Sequence, residues 1–152
     1  MNTDIDDLDF KERLGVGGTA IIIKAKLKAN DLKAKHSVED IAIKIINEDK
    51  ISPESLPEMK KSFLYEVTVM SSIPKHDNIV HLIGYAEDPM SIVMKFYPIS
   101  LRDLIKSTNE TICPLIFKIA LDVARGVDTI HKHEILHLDI KPRKLSPSSQ
   151  FY

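Results

Sequence analysis

Cysteine is nearly missing from this sequence: Cys113 is the only one among 152 residues. An intrachain disulfide framework is excluded, and a reducing compartment is the expectation. Nor is there a surplus of either charge, since 21 Lys and Arg stand against 22 Asp and Glu, a formal net charge of −1. That balance lacks the electrostatic footprint of a nucleic-acid or anionic-membrane binder, so neither partner is expected. No apolar run approaches the roughly 18 residues that a membrane helix requires. The opening MNTDIDDLDF is acidic where a secretion signal would be basic and then apolar. The absences converge on a soluble, cytoplasmic protein. Hydrophobic residues make up 43% of the chain, enough to bury a core.

What is present divides into a strand-rich first part and a helix-rich second part. FKERLGVGG (10–18) and TAIIIKAKL (19–27) read as two strands around a glycine turn, Ile21, Ile22 and Ile23 supplying β-branched density. ANDLKAKHSV (29–38) is a polar, Lys-rich connection. EDIAIKIIN (39–47) alternates as a third strand, with Ile41, Ile43 and Ile45 on one face and Ala42, Lys44 and Ile46 on the other. After a loop with Pro53 and Pro57, Met59, Phe63, Val67 and Met70 recur at helical spacing until Pro74. NIVHLIGYA (78–86) and SIVMKFY (91–97) read as two further strands around the turn residues Asp88 and Pro89. LRDLIKST follows as a short helix, and residues 114–133 as a long one opened by Pro114. Its stripe of Ile116, Ile119, Ala120, Val123, Val127 and Ile130 predicts a buried face.

Two features carry chemistry. Gly15, Gly17 and Gly18 are three of the five glycines, and they sit between strands. Glycine tolerates positive φ and lets backbone amides approach a ligand such as a phosphate, although the same grouping also serves as a plain tight turn. A strand rather than a helix follows them, which excludes a Rossmann motif. Lys44 is the second feature, an ammonium between Ile43 and Ile45 in a strand that should be covered. It needs either a carboxylate partner, for which Glu66 in the following helix is the candidate, or an exposed edge along which to snorkel. His131, His133 and His137 are not expected to bind metal: positions two apart on a helix face differently and no acid or Cys completes a set. Ser52, Ser146 and Ser148 lie beside prolines or follow one and read as loop residues open to phosphorylation.

Taken in order, these segments resemble the eukaryotic protein kinase family. LGVGGTAIIIKA is similar to the G-x-G-x-x-G-x-V phosphate loop, with Gly15 and Gly17 matching, Ala20 in place of the third Gly and Ile22 in place of the Val. IAIK resembles the V-A-I-K strand, which implies that Lys44 holds the α- and β-phosphates of ATP with Glu66 as its helix partner. HDNIV (76–80) resembles the segment after that helix, and SIVMKFY the strand leading to the hinge, with Met94 as gatekeeper and Lys95, Phe96 and Tyr97 in the hinge. GVDTIHKHEILHLDIKP is similar to the helix and catalytic loop that read H-R-D-L-K-P-x-N, implying Asp139 as base and, through Lys141, the Ser/Thr branch.

The resemblance runs from residue 10 to about 142. It implies an α+β, protein-kinase-like fold: a five-stranded antiparallel sheet with one helix as a small lobe (1–97), then an incomplete helical lobe (98–142) and a divergent tail (143–152). It also implies an ATP pocket built from Gly15, Gly17, Ile22, Ala42, Lys44, Glu66, Met94 and Tyr97, a protein substrate, and Mg²⁺.

Three departures limit what carries over. Leu138 replaces the Arg that pairs with a phosphorylated activation segment. Lys144 stands at the position of the Mg-ligating Asn, and lysine has no acceptor. No D-F-G or A-P-E precedes Tyr152. The expectation is an incomplete chain, truncated or mis-spliced, of a Ser/Thr kinase whose full-length parent transfers the γ-phosphate of ATP. With both protein ligands for Mg²⁺ missing, the chain itself is expected to have little or no activity. The alternative is a pseudokinase-like fragment that binds nucleotide or another protein. Helices that would cover the 114–133 stripe are missing too, so self-association through that helix is expected.

Overall fold

The computed structural model describes residues 8–28, 39–107 and 113–146. The polar connection 29–38, Ser148 and the rest of the tail after Ser146 lie outside the described residues. The chain forms two compact units, one from residues up to 72 with 81–96, the other from 73–80 with 97 onward.

The first unit is a sheet and a helix. Its strands are β1 (Leu8–Val16), β2 (Ala20–Leu27), β3 (Asp40–Ile46), β4 (Leu82–Glu87) and β5 (Met90–Lys95), all antiparallel in the order β1-β2-β3-β5-β4. Helix α1 spans Leu56–Ser72, with Pro57 in its first turn where a missing N–H costs nothing. β3 therefore lies inside the sheet, with β2 and β5 as neighbours.

The alternation of β3 sorts its side chains between two cores. Ile41 and Ile43 join Leu8, Ala25, Leu27, Ile83 and Val93 on one face, with Ile45 packed against them. Ile46 joins Met90 and Ile92 on the other, where Phe63 and Val67 of α1 are buried and Met59 and Met70 pack at the border. Burial of such an Ile or Phe contributes about 1.5–3 kcal/mol each, so the two cores carry this unit. The fold is thus the α+β, kinase-type small lobe that the strand pattern implies.

One expected boundary and one expected buried face differ. The strand expected over 78–86 begins only at Leu82. Asn78 instead donates its N–H to His76 Nδ1 at 3.1 Å, and Asn78, Ile79 and Val80 belong to the second unit. That unit holds α2 (Leu101–Ser107) and α3 (Cys113–Lys132). The stripe on α3 is narrower than its spacing predicts. Ile119 and Ile130 are buried and Val123 and Val127 half-buried, whereas Ile116 and Ala120 are exposed. Phe117, at 82% exposure, and Leu121 extend that open apolar face. The reason is local packing: the 77–80 segment lies along the 119–130 side, closely enough that a Cβ on Gly126 would stand 2.8 Å from the Asn78 carbonyl oxygen.

Candidate functional site

Lys44 sits on the face of β3 that α1 covers, opposite Ile22 of β2 and Ile92 of β5. Its ammonium donates to both carboxylate oxygens of Glu66, at 2.8 and 2.7 Å. The exposed-edge alternative is excluded, because β3 has a strand on each side. The helix makes the pairing possible: with Phe63 and Val67 buried in the core, Glu66 between them falls at the margin facing the sheet. The side chains are 28% and 42% exposed, half-covered rather than entombed. An ammonium so placed has its charge compensated on one side and remains open to a second anion.

Other residues of the pattern gather on the same face. Ala42, buried, lies two residues before Lys44 and pairs across the sheet with Met94, while Ile22 pairs with Gly15 on its other side. The glycine turn has an ordinary backbone and open surroundings. Among the described residues no glycine has positive φ, and a Cβ on Gly15 or Gly18 would meet nothing within 4 Å. The turn is closed by the Gly17 N–H donating to the Ala20 carbonyl at 2.7 Å. Tyr97 lies in the second unit, where burial, and then the charge of Asp77, push its phenol above the ordinary value.

Lys24 was not singled out from the sequence. It pairs with Ala42 across the sheet, carries its ammonium 4.5 Å from the centre of the Phe96 ring, and lies 4.0 Å from Asp40 Oδ2. Alternation with Ile22 was the available signal that it shares the Lys44 face.

The loop after α3 belongs to the second unit. The helix ends in a Schellman arrangement, Ile135 N–H to Ile130 carbonyl at 3.0 Å and Glu134 N–H to His131 carbonyl at 2.9 Å, with Glu134 at φ 59°. Leu138, in the place of the expected Arg, also has positive φ, 56°. The next residue, Asp139, donates its N–H to His137 Nδ1 at 3.2 Å. Its carboxylate accepts from Lys141 at 3.0 Å and Lys144 at 2.7 Å, both on Oδ2. Lys144, and next Lys141, hold the Asp139 carboxyl down at about 2. That Lys144 would reach Asp139 was not foreseen; only its wrong chemistry for a metal was.

A sheet that presents a lysine to a helix glutamate, with an H-x-D-x-K loop further along, defines an α+β domain of protein-kinase type. The comparisons agree. A family model for protein tyrosine and serine/threonine kinases matches residues 8–145, and the chain belongs to that protein kinase family. A Dictyostelium discoideum protein described as a probable serine/threonine-protein kinase is 31% identical over 95% of this chain and 11% of its own length. A second from that organism, of the same description, is 33% identical over 91% of this chain and 9% of its own. Serine/threonine-protein kinase STY46 of Arabidopsis thaliana is 29% identical over 74% of this chain and 20% of its own. The chain thus spans a fifth or less of these relatives.

Kinases of this family generally use ATP and Mg²⁺. The Lys44 ammonium and the clear glycine turn fit a nucleotide's phosphates. The metal does not fit in the same way: no group of three or more His, Cys, Asp or Glu among the described residues could hold an ion. One Asp139 oxygen, Oδ2, already accepts from two ammoniums. Among the described residues no helix is long and apolar enough to cross a membrane.

Proposed function

We propose that this chain is the nucleotide-binding part of a Ser/Thr protein kinase. Lys44, held by Glu66, would take the α- and β-phosphates of ATP beneath the turn formed by Gly15 and Gly17. Ile22, Ala42, Met94 and Tyr97 would contact the base and ribose side. Asp139 would orient the acceptor hydroxyl of a protein substrate, with Lys141 beside it. In this reading residues 1–97, apart from 73–80 and Tyr97, form the small lobe and 98–142 the start of the helical lobe, and the protein is cytoplasmic, in keeping with its single cysteine. The observation that carries the reading is the two-oxygen contact of Glu66 with the Lys44 ammonium on the helix-covered face of the sheet.

The pseudokinase-like alternative, nucleotide binding with little transfer, is favoured by one observation: Lys144 stands where a metal-ligating Asn is expected and its ammonium is on Asp139. The open apolar face of α3 supports self-association in either case.

Thermal melting with ATP tests the common core. The native chain should melt higher with ATP and Lys44→Met should not respond, while its own melting without ATP changes little, since a half-exposed pair is worth about 1 kcal/mol or less. An equal response from both chains would remove Lys44 from the site and the reading with it.

A further inference from the structure

The loop after Asp139 is crowded with cations, Lys141, Arg143 and Lys144, of which two converge on one oxygen. Lys144 is 2.7 Å and Lys141 3.0 Å from Asp139 Oδ2. Backbone geometry directs Lys144 there. Residues Pro142–Lys144 form one 3₁₀ turn, closed by the Lys144 N–H donating to the Lys141 carbonyl at 2.8 Å. The end of that turn is fastened to α2, where the Leu101 N–H donates to the Leu145 carbonyl at 2.8 Å. A turn anchored on that side brings residue 144 back towards residue 139, so a side chain of lysine length reaches the carboxylate.

The electrostatic consequence follows from counting charges. One carboxylate with two ammoniums in contact is locally cationic, and a divalent ion approaching this loop meets an ammonium at position 144 where an Asn would offer a carbonyl oxygen. Neither ammonium can serve as a ligand in exchange, having no lone pair to give. His137 offers no substitute either, because its Nδ1 already accepts from the Asp139 N–H.

We propose that Lys144 is the resident counter-ion of Asp139 and puts a fixed positive charge where an Asn would hold a divalent cation, so that a nucleoside triphosphate is bound without gain from metal. The nucleotide half rests on the function proposed above; the carboxylate half does not.

Two arms of one experiment separate them. In the first, Mn²⁺ alone is titrated into the 152-residue chain and amide line-broadening is followed by NMR. The signals of Asp139 and Ile140 should stay sharp in the native chain and in Lys144→Arg, and broaden in Lys144→Asn. Broadening in the native chain overturns the proposal. Broadening in none of the three overturns it too, since Lys144 would then not be what keeps metal away. The side chain of Lys144 is half-exposed, so the variants should fold, and the remaining amide spectrum checks this. In the second arm the affinity for a non-hydrolysable ATP analogue is compared in EDTA and in Mg²⁺. The native chain should bind equally in both, and Lys144→Asn about tenfold more tightly in Mg²⁺. A native chain with that tenfold Mg²⁺ preference contradicts the nucleotide half. A native chain that binds no analogue in either buffer sinks the nucleotide reading, while the Mn²⁺ arm still decides the role of Lys144.

Discussion

Strand β3 and helix α3 both mix isoleucine and alanine with aspartate and lysine, yet the molecule treats them differently. β3 is covered on both faces, and its one ammonium is matched by a glutamate from α1. α3 is covered along one arc and leaves Ile116, Phe117 and Leu121 to solvent. In β3 every side chain is constrained, so a lysine there needs a specific anion. In α3 the covered arc is constrained by close approach of the 77–80 segment, and the other arc by nothing within the described residues. A charged group in the first setting is informative about ligands; apolar groups in the second mark the arc that the described residues leave open.

Truncations test that contrast most strongly. Phe63→Ala, which empties the core under α1, should cost about 3–5 kcal/mol, whereas Phe117→Ala on the open arc should cost about 0.5 kcal/mol or less. Denaturant melts of the two variants check this, and equal losses would mean that the open arc is packed in solution. Gly126→Ala comes next. Helix propensity alone would favour Ala by about 1 kcal/mol, but the added Cβ would meet the Asn78 carbonyl oxygen at 2.8 Å. A net loss of about 1–3 kcal/mol by the same melts is the expected outcome.

A gain of about 1 kcal/mol is expected at the end of α3. Glu134 occupies the left-handed region at φ 59°, so Glu134→Gly relieves strain and should raise the melting temperature. The smallest effect is electrostatic. Because the Asp139 carboxyl is held at about 2 by Lys144 and Lys141, its pairing is in place above the ordinary 3.8 and is lost as pH falls through about 2. Carboxyl NMR should place the Asp139 midpoint near 2, and Lys144→Asn should move it up towards the ordinary value. No movement would mean that Lys144 does not contact the carboxylate.

Much of the first unit was legible because strand alternation is a strict rule. Ile41, Ile43 and Ile45 on one face of β3 and Lys44 with Ile46 on the other follow from period two alone, and Met59, Phe63, Val67 and Met70 from period 3.6. Context was not legible. Ile79 and Val80 are apolar enough for a strand, and packing against α3, which includes the approach of Asn78 to Gly126, assigns the segment to the helical unit. The stripe on α3 was read from spacing, but which arc is covered depends on that same distant segment, so that Ile119 and Ile130 are buried while Ile116 and Ala120 stay open. Lys24 over Phe96 and Lys144 on Asp139 escaped for a similar reason: each depends on where a flexible side chain is sent by a turn or a neighbouring strand.

The central claim is that the Lys44 ammonium, positioned by Glu66, receives a nucleotide's phosphates. Lysine side-chain NMR on the ¹⁵N-labelled chain during an ATP titration tests it most directly. The Lys44 Nζ signal, assigned by its loss in Lys44→Met, should shift with ATP and lose that response in Glu66→Ala. A Lys44 signal that stays fixed while other lysines move would contradict the account.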